Sequence, residues 1–172
     1  MRSRDLWQAD VHFGGLLAGM ALAALTVTAS TAAAQSTNAT PHCRPIGGTV
    51  MTNFIDQNTT LGTVTGDLAG AVSAVVIEPP TFPDAQTAVF RVQHRWVTDS
   101  GDLVQVAVAE AVARLTAPNV YGIVSYPVTI TGGTGAFQHA TGSITSIGAV
   151  DLNTGTTVFR YTGQLCLQAP AH

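Results

Sequence analysis

The stretch Gln86–Leu115, QTAVFRVQHRWVTDSGDLVQVAVAEAVARL, decides the fold class. Two runs rich in Val, Thr and aromatic residues flank Asp99-Ser100-Gly101. That spacing predicts a three-residue hairpin loop, a type I turn followed by glycine in the left-handed position. In this register Thr98 opposes Asp102, Trp96 opposes Val104, His94 opposes Val106, Val92 opposes Val108 and Phe90 opposes Glu110. The resulting face is apolar except for His94 and Glu110, while Arg91, Gln93, Arg95 and Gln105 fall on the other. A two-residue loop would mix the faces, so separating core from water selects the register. The Ala, Glu and Leu content of Leu103–Leu115 is compatible with a helix. Val104, Val106, Val108 and Val112 nevertheless recur with period two, and alternating β-branched side chains mark a strand.

Outward from this hairpin the same grammar repeats. Gly48–Ile55, Leu68–Glu78, Tyr121–Thr131, Thr141–Val150 and Thr156–Gln168 read as further strands, and Thr59–Thr65 can supply one more. Pro79-Pro80 halts the second of these, and Pro127 inside YGIVSYPVTIT predicts an edge or a bulge. Short strands at even spacing predict an all-β barrel or sandwich.

The chain of 172 residues allows one domain. Its start is expected to lie outside that domain. Arg2 and Arg4 precede an apolar run, Phe13–Val27, and then Ala32-Ala33-Ala34, the order of a secretory signal peptide. The run is shorter than the roughly 20 apolar residues of a spanning helix. The expected organisation is a signal peptide over 1–34, an extended segment over 35–46 and a β-barrel domain over 47–168. A secreted, extracytoplasmic protein, periplasmic or extracellular, follows. The Ala-rich leader and the absence of Lys read as bacterial. The sequons at Asn38 and Asn58 matter only in a glycosylating host.

Seven arginines, no lysine and ten acids leave a net charge of −3. Nucleic-acid binding rests on clustered cations that release counterions, so it is disfavoured. Docking to anionic lipid is disfavoured for the same reason, and no membrane role is expected after signal cleavage. Cys43 and Cys166 are the two cysteines, and in an oxidising compartment they are expected to pair. A loop that long gains roughly 4–5 kcal/mol in the chain-entropy model. Close spacing for a redox pair and His partners at ligand spacing are both missing, so no metal and no cofactor is expected.

Glu110 and His94 on an apolar face are the candidate catalytic residues. An inward carboxylate is paired, neutralised or beside a wet cavity. One reading lets both residues line a barrel interior, with Phe90, Val92, Trp96, Val106 and Val108 completing a ligand-binding wall. The plainer reading puts Glu110 at a solvated rim and makes His94 a hydrogen-bonded core residue. Inward candidates Gly70, Ala74 and Gly148 leave room inside, and the opposite register fills it.

After a strand comes Thr131-Gly132-Gly133-Thr134-Gly135-Ala136-Phe137. A phosphate loop needs Lys and a following helix, and a dinucleotide loop needs Gly where Gln138 stands. A structural turn fits instead: Gly132, Gly133 and Gly135 permit positive φ and Phe137 packs as a plug. The run Gly132–Gly142 (GGTGAFQHATG) resembles the GGTGxFxxAxG signature of plant dirigent proteins and bacterial allene-oxide-cyclase-barrel-like proteins. VTDSGDL (Val97–Leu103) and GAVDLNTGTTVFRYTGQLC (Gly148–Cys166) are similar to the bacterial secreted branch, and GTVTGDLAGAV (Gly62–Val72) more loosely so. The resemblance implies an eight-stranded antiparallel barrel with a lipocalin-like cavity, and oligomers such as a homodimer or trimer. It also implies steering of reactive hydrophobic intermediates by cyclisation or stereoselective coupling.

Three functions are open at this point. The first is a barrel that binds a small hydrophobic molecule. The second is a cyclase or dirigent-type enzyme, isomerase-like, working by orientation. The third is a structural or surface barrel with a filled interior. Glu110→Gln is expected to spare a binder and cripple a proton-transferring enzyme.

Overall fold

The computed structural model describes residues 41–168, so the expected leader over 1–34 lies outside the described residues. Eleven strands follow one another: β1 His42–Phe54, β2 Thr59–Gly66, β3 Gly70–Val76, β4 Thr81–Asp84, β5 Thr87–Thr98, β6 Leu103–Val106, β7 Ala109–Ala117, β8 Val120–Ser125, β9 Pro127–Gly133, β10 Thr141–Asp151 and β11 Thr156–Leu167. β6 and β7 form one bent stave, β8 and β9 another, and β4 is an appendage on β5. All pairings are antiparallel, and β11 pairs with β1, which closes an eight-stranded barrel. Closure removes the sheet edges that would otherwise invite other chains.

β1 opens at His42 and pairs with β11 from His42↔Leu167 onward. Residues 42–46, expected as part of an extended lead-in, are therefore a stave of the barrel. Pairing with the last strand supplies the backbone partners that the local Pro-containing sequence does not advertise. Cys43 lies opposite Cys166 and the two are disulfide-bonded.

The hairpin loop has the predicted form. Thr98 N donates to Asp102 O at 2.9 Å, Gly101 N donates to Thr98 O at 2.8 Å, and Gly101 has φ +86°. Trp96 opposes Val104 as expected. Beyond Val106 the register departs from the sequence reading. Ala107 and Val108 lie in neither strand, and β7 resumes with Val92↔Ala109, Arg91↔Glu110 and Phe90↔Ala111. One extra residue in a stave is a β-bulge, and it exchanges the inner and outer faces of everything after it. Val108, at 40% exposure, and the exposed Glu110 thus point outward, which corrects the inward placement of both. The Gln93 side chain meets the opened ladder, with Nε2 donating to Val106 O at 3.3 Å.

One end of the barrel is sealed. The β2–β3 turn drives Leu68 inward, where it, Tyr161 and Leu165 are fully buried. Phe137, in a 3-10 turn over Gly135–Phe137, is buried in the same core. Gly132 (φ +148°) and Gly135 (φ +50°) shape that crossing, and a Cβ on Gly135 would strike the Asp102 carboxylate.

Candidate functional site

The other end is open. Its rim comes from the β1–β2 turn, the β3–β5 connection and the β10–β11 turn. Each carries an aspartate whose carboxylate accepts backbone N–H groups two and three residues on: Asp56, Asp84 and Asp151. These bonds, the one from the residue two positions on foremost, hold all three carboxyls below the usual carboxylate range. Such Asx turns fix the local geometry of the rim from sequence neighbours.

Behind the rim lies a chamber of about 380 Å³. Its wall includes Phe54, Phe90, Ala111, Tyr121, Ile123 and Phe159. A second chamber of about 50 Å³ lies deeper, bordered by Trp96, His94, Ile144 and Ser146. Ala74, Tyr126 and Phe159 border both. The bulge explains why there is space. The residues of β7 turned inward are Ala109, Ala111 and Ala113, all buried, where the expected register would have put Val108, Glu110 and Val112.

Polar groups inside are few and neutral. Tyr126 Oη lies 2.7 Å from His94 Nε2, and the rings are tilted at 41°. Phe159 stands edge-on to Tyr126 at 5.9 Å. Burial pushes the His94 pKa down to about 4 and the Tyr126 pKa up, so at neutral pH both are uncharged. His94 keeps some surface toward the chamber, but its Nδ1 is sealed and has no partner. Thr52 and Thr157, one bordering each chamber, bond each other through their hydroxyls at 2.7 Å.

Among the residues singled out from sequence, Phe90 and Val92 border the outer chamber, and His94 and Trp96 the inner one. Val106 is buried in the core without bordering either. Val108 and Glu110 are on the outside, so Glu110→Gln is expected to leave ligand affinity unchanged and to move stability by no more than about 0.5 kcal/mol, as surface changes do. Parallel titrations of the two proteins with an apolar fluorophore check this. Tyr126, Phe159 and Ala111 escaped the sequence reading. The signals available were Pro127, which opens β9 directly after the break at Tyr126, and alanines recurring at 107, 109, 111 and 113.

No protein-family model matches the sequence, and a search of curated proteins finds no match. Among solved structures, the pterocarpan synthase dirigent protein GePTS1 is similar over 76% of this chain and 93% of its own, with 13% identity and a TM-score of 0.33.

Proposed function

We propose that this protein is an exported barrel that holds one small apolar molecule in its open chamber. The observation that carries the reading is the cavity of about 380 Å³ with an aromatic and aliphatic wall. Ligand sites are typically clefts of roughly 300–1,000 Å³ lined this way with a few placed polar groups. An eight-stranded barrel encloses room for one small ligand. Export is supported by the Cys43–Cys166 bridge, since such bonds persist in oxidising compartments.

The test is native mass spectrometry of protein secreted by its own host, followed by titration with N-phenyl-1-naphthylamine. A co-purifying apolar compound and one-to-one dye binding are expected. Ala111→Phe pushes a ring into the chamber and is expected to weaken the dye at least tenfold, which is 1.4 kcal/mol. Dye binding that ignores Ala111→Phe sinks the reading.

A cyclase or dirigent-type enzyme is the second reading, and the Tyr126–His94 pair favours it. Sequence offered Glu110 or His94 for proton handling; with Glu110 on the outside, His94 and its partner Tyr126 are the inward candidates, and the wall orients the substrate.

A further inference from the structure

Resting on the reading of the barrel as a binder, we propose that Tyr126 donates a hydrogen bond to its ligand, and that the ligand presents an uncharged acceptor oxygen, such as a ketone, at its buried end. His94 Nδ1 is sealed from solvent with no partner, while Nε2 lies 2.7 Å from Tyr126 Oη. A proton on Nδ1 would be a buried donor with nothing to accept it, the rarest kind of unpaired group. The proton therefore sits on Nε2 and is donated to the phenolic oxygen. Tyr126 then accepts from His94, and its own O–H is left to give away.

The direction of that free proton follows from position. Tyr126 borders both chambers, at the inner limit of the large one. Thr52 and Thr157 already bond each other, and among the described residues no hydrogen bond joins Tyr126 Oη to Ser146, a further hydroxyl bordering the inner chamber. Among the described residues, no Asp, Glu, Lys or Arg borders either chamber. A buried carboxylate or ammonium on the ligand would be an unpaired charge, which is strongly unfavourable, so the ligand is neutral. Burial that keeps His94 uncharged and Tyr126 protonated agrees with this assignment.

The experiment compares three probes of matched shape: 2-acetylnaphthalene, 2-ethylnaphthalene and 2-naphthoate. In a wholly apolar pocket the hydrocarbon binds tightest, because the ketone gives up its hydration. A free Tyr126 donor reverses the order, and the ketone is expected to bind up to roughly tenfold tighter, the upper range of one hydrogen bond. Tyr126→Phe is expected to erase that preference, read as the ratio of ketone to hydrocarbon Kd within each protein. Naphthoate is expected to bind weakest to both proteins. Histidine-selective ¹⁵N NMR adds a readout independent of binding, with the His94 proton expected on Nε2.

Equal binding of ketone and hydrocarbon, or a ketone preference that survives Tyr126→Phe, overturns the inference and leaves the binding barrel standing. Tightest binding of naphthoate, or a proton on Nδ1, overturns it too. Failure of every probe to bind overturns the binding reading itself, and this inference with it.

Discussion

Trp96→Ala is expected to lower the unfolding free energy by about 3–5 kcal/mol, the range for removing a buried aromatic side chain. Trp96 is 5% exposed and stands edge-on to Tyr161, with ring centroids 5.7 Å apart. Its indole Nε1 donates to Leu68 O at 2.9 Å. Leu68 N in turn donates to Tyr161 Oη at 3.0 Å, and Tyr161 Oη donates to Thr65 O at 3.1 Å. These three side chains seal one end of the barrel. Removing the indole leaves the Leu68 carbonyl unpaired and enlarges the void at the inner chamber. Both effects act in the same direction. Trp96→Phe keeps most of the apolar contact and loses the N–H bond, so it is expected to cost about 1 kcal/mol through that bond. Urea unfolding with the disulfide intact measures both. A loss under about 1 kcal/mol for the alanine variant would refute the assignment of this end as the anchor of the fold.

Acidification is expected to weaken the fold well before the carboxylates titrate. His94 has a folded pKa of about 4, lowered from the ordinary 6.5 by burial. As pH falls, the unfolded chain takes up the proton first, while the folded chain resists it. Stability is thus complete above about 6.5 and drains away as pH drops toward about 4. At 1.36 kcal/mol per pH unit, the total is roughly 3 kcal/mol. His94→Phe removes the proton site from both states and is expected to flatten the profile across this window. Chemical denaturation at steps from pH 7 to pH 4 decides it. Equal slopes for the two proteins would show that His94 is not held neutral. Below this window a second loss begins. Asp56, Asp84 and Asp151 have folded pKa values below the ordinary 3.8, so what their turns contribute is present above 3.8 and lost as pH falls further. Asp67, held down chiefly by its bond from Arg44, behaves the same way at the sealed end.

The two halves of the hairpin show how far a sequence argument carries. Up to Val106 the register follows from the Asp99-Ser100-Gly101 loop, because loop length and the glycine φ are local constraints. Past Val106 the β-branched rows Val104, Val106, Val108 and Val112 suggested an uninterrupted face, and the bulge broke it. A bulge is not specified by its own residues alone. It settles where neighbouring staves must bend to close the barrel, and here β8 and β9 break on the facing stave at Tyr126. The consequence was functional. Glu110 left the interior, and Ala111 came to border the outer chamber in place of a larger side chain.

By itself, the sequence determined the strand-and-turn pattern, the hairpin register near its loop, and the place of His94 on the apolar face of β5. Those features rest on period-two alternation, turn residues and composition, all of which act over a few residues. Tertiary structure alone decided which parity of β7 faces inward, and that Tyr126, 32 positions from His94, is its partner. Both depend on closing a sheet into a barrel, where the geometry of distant staves, rather than any local preference, sets which side chains meet.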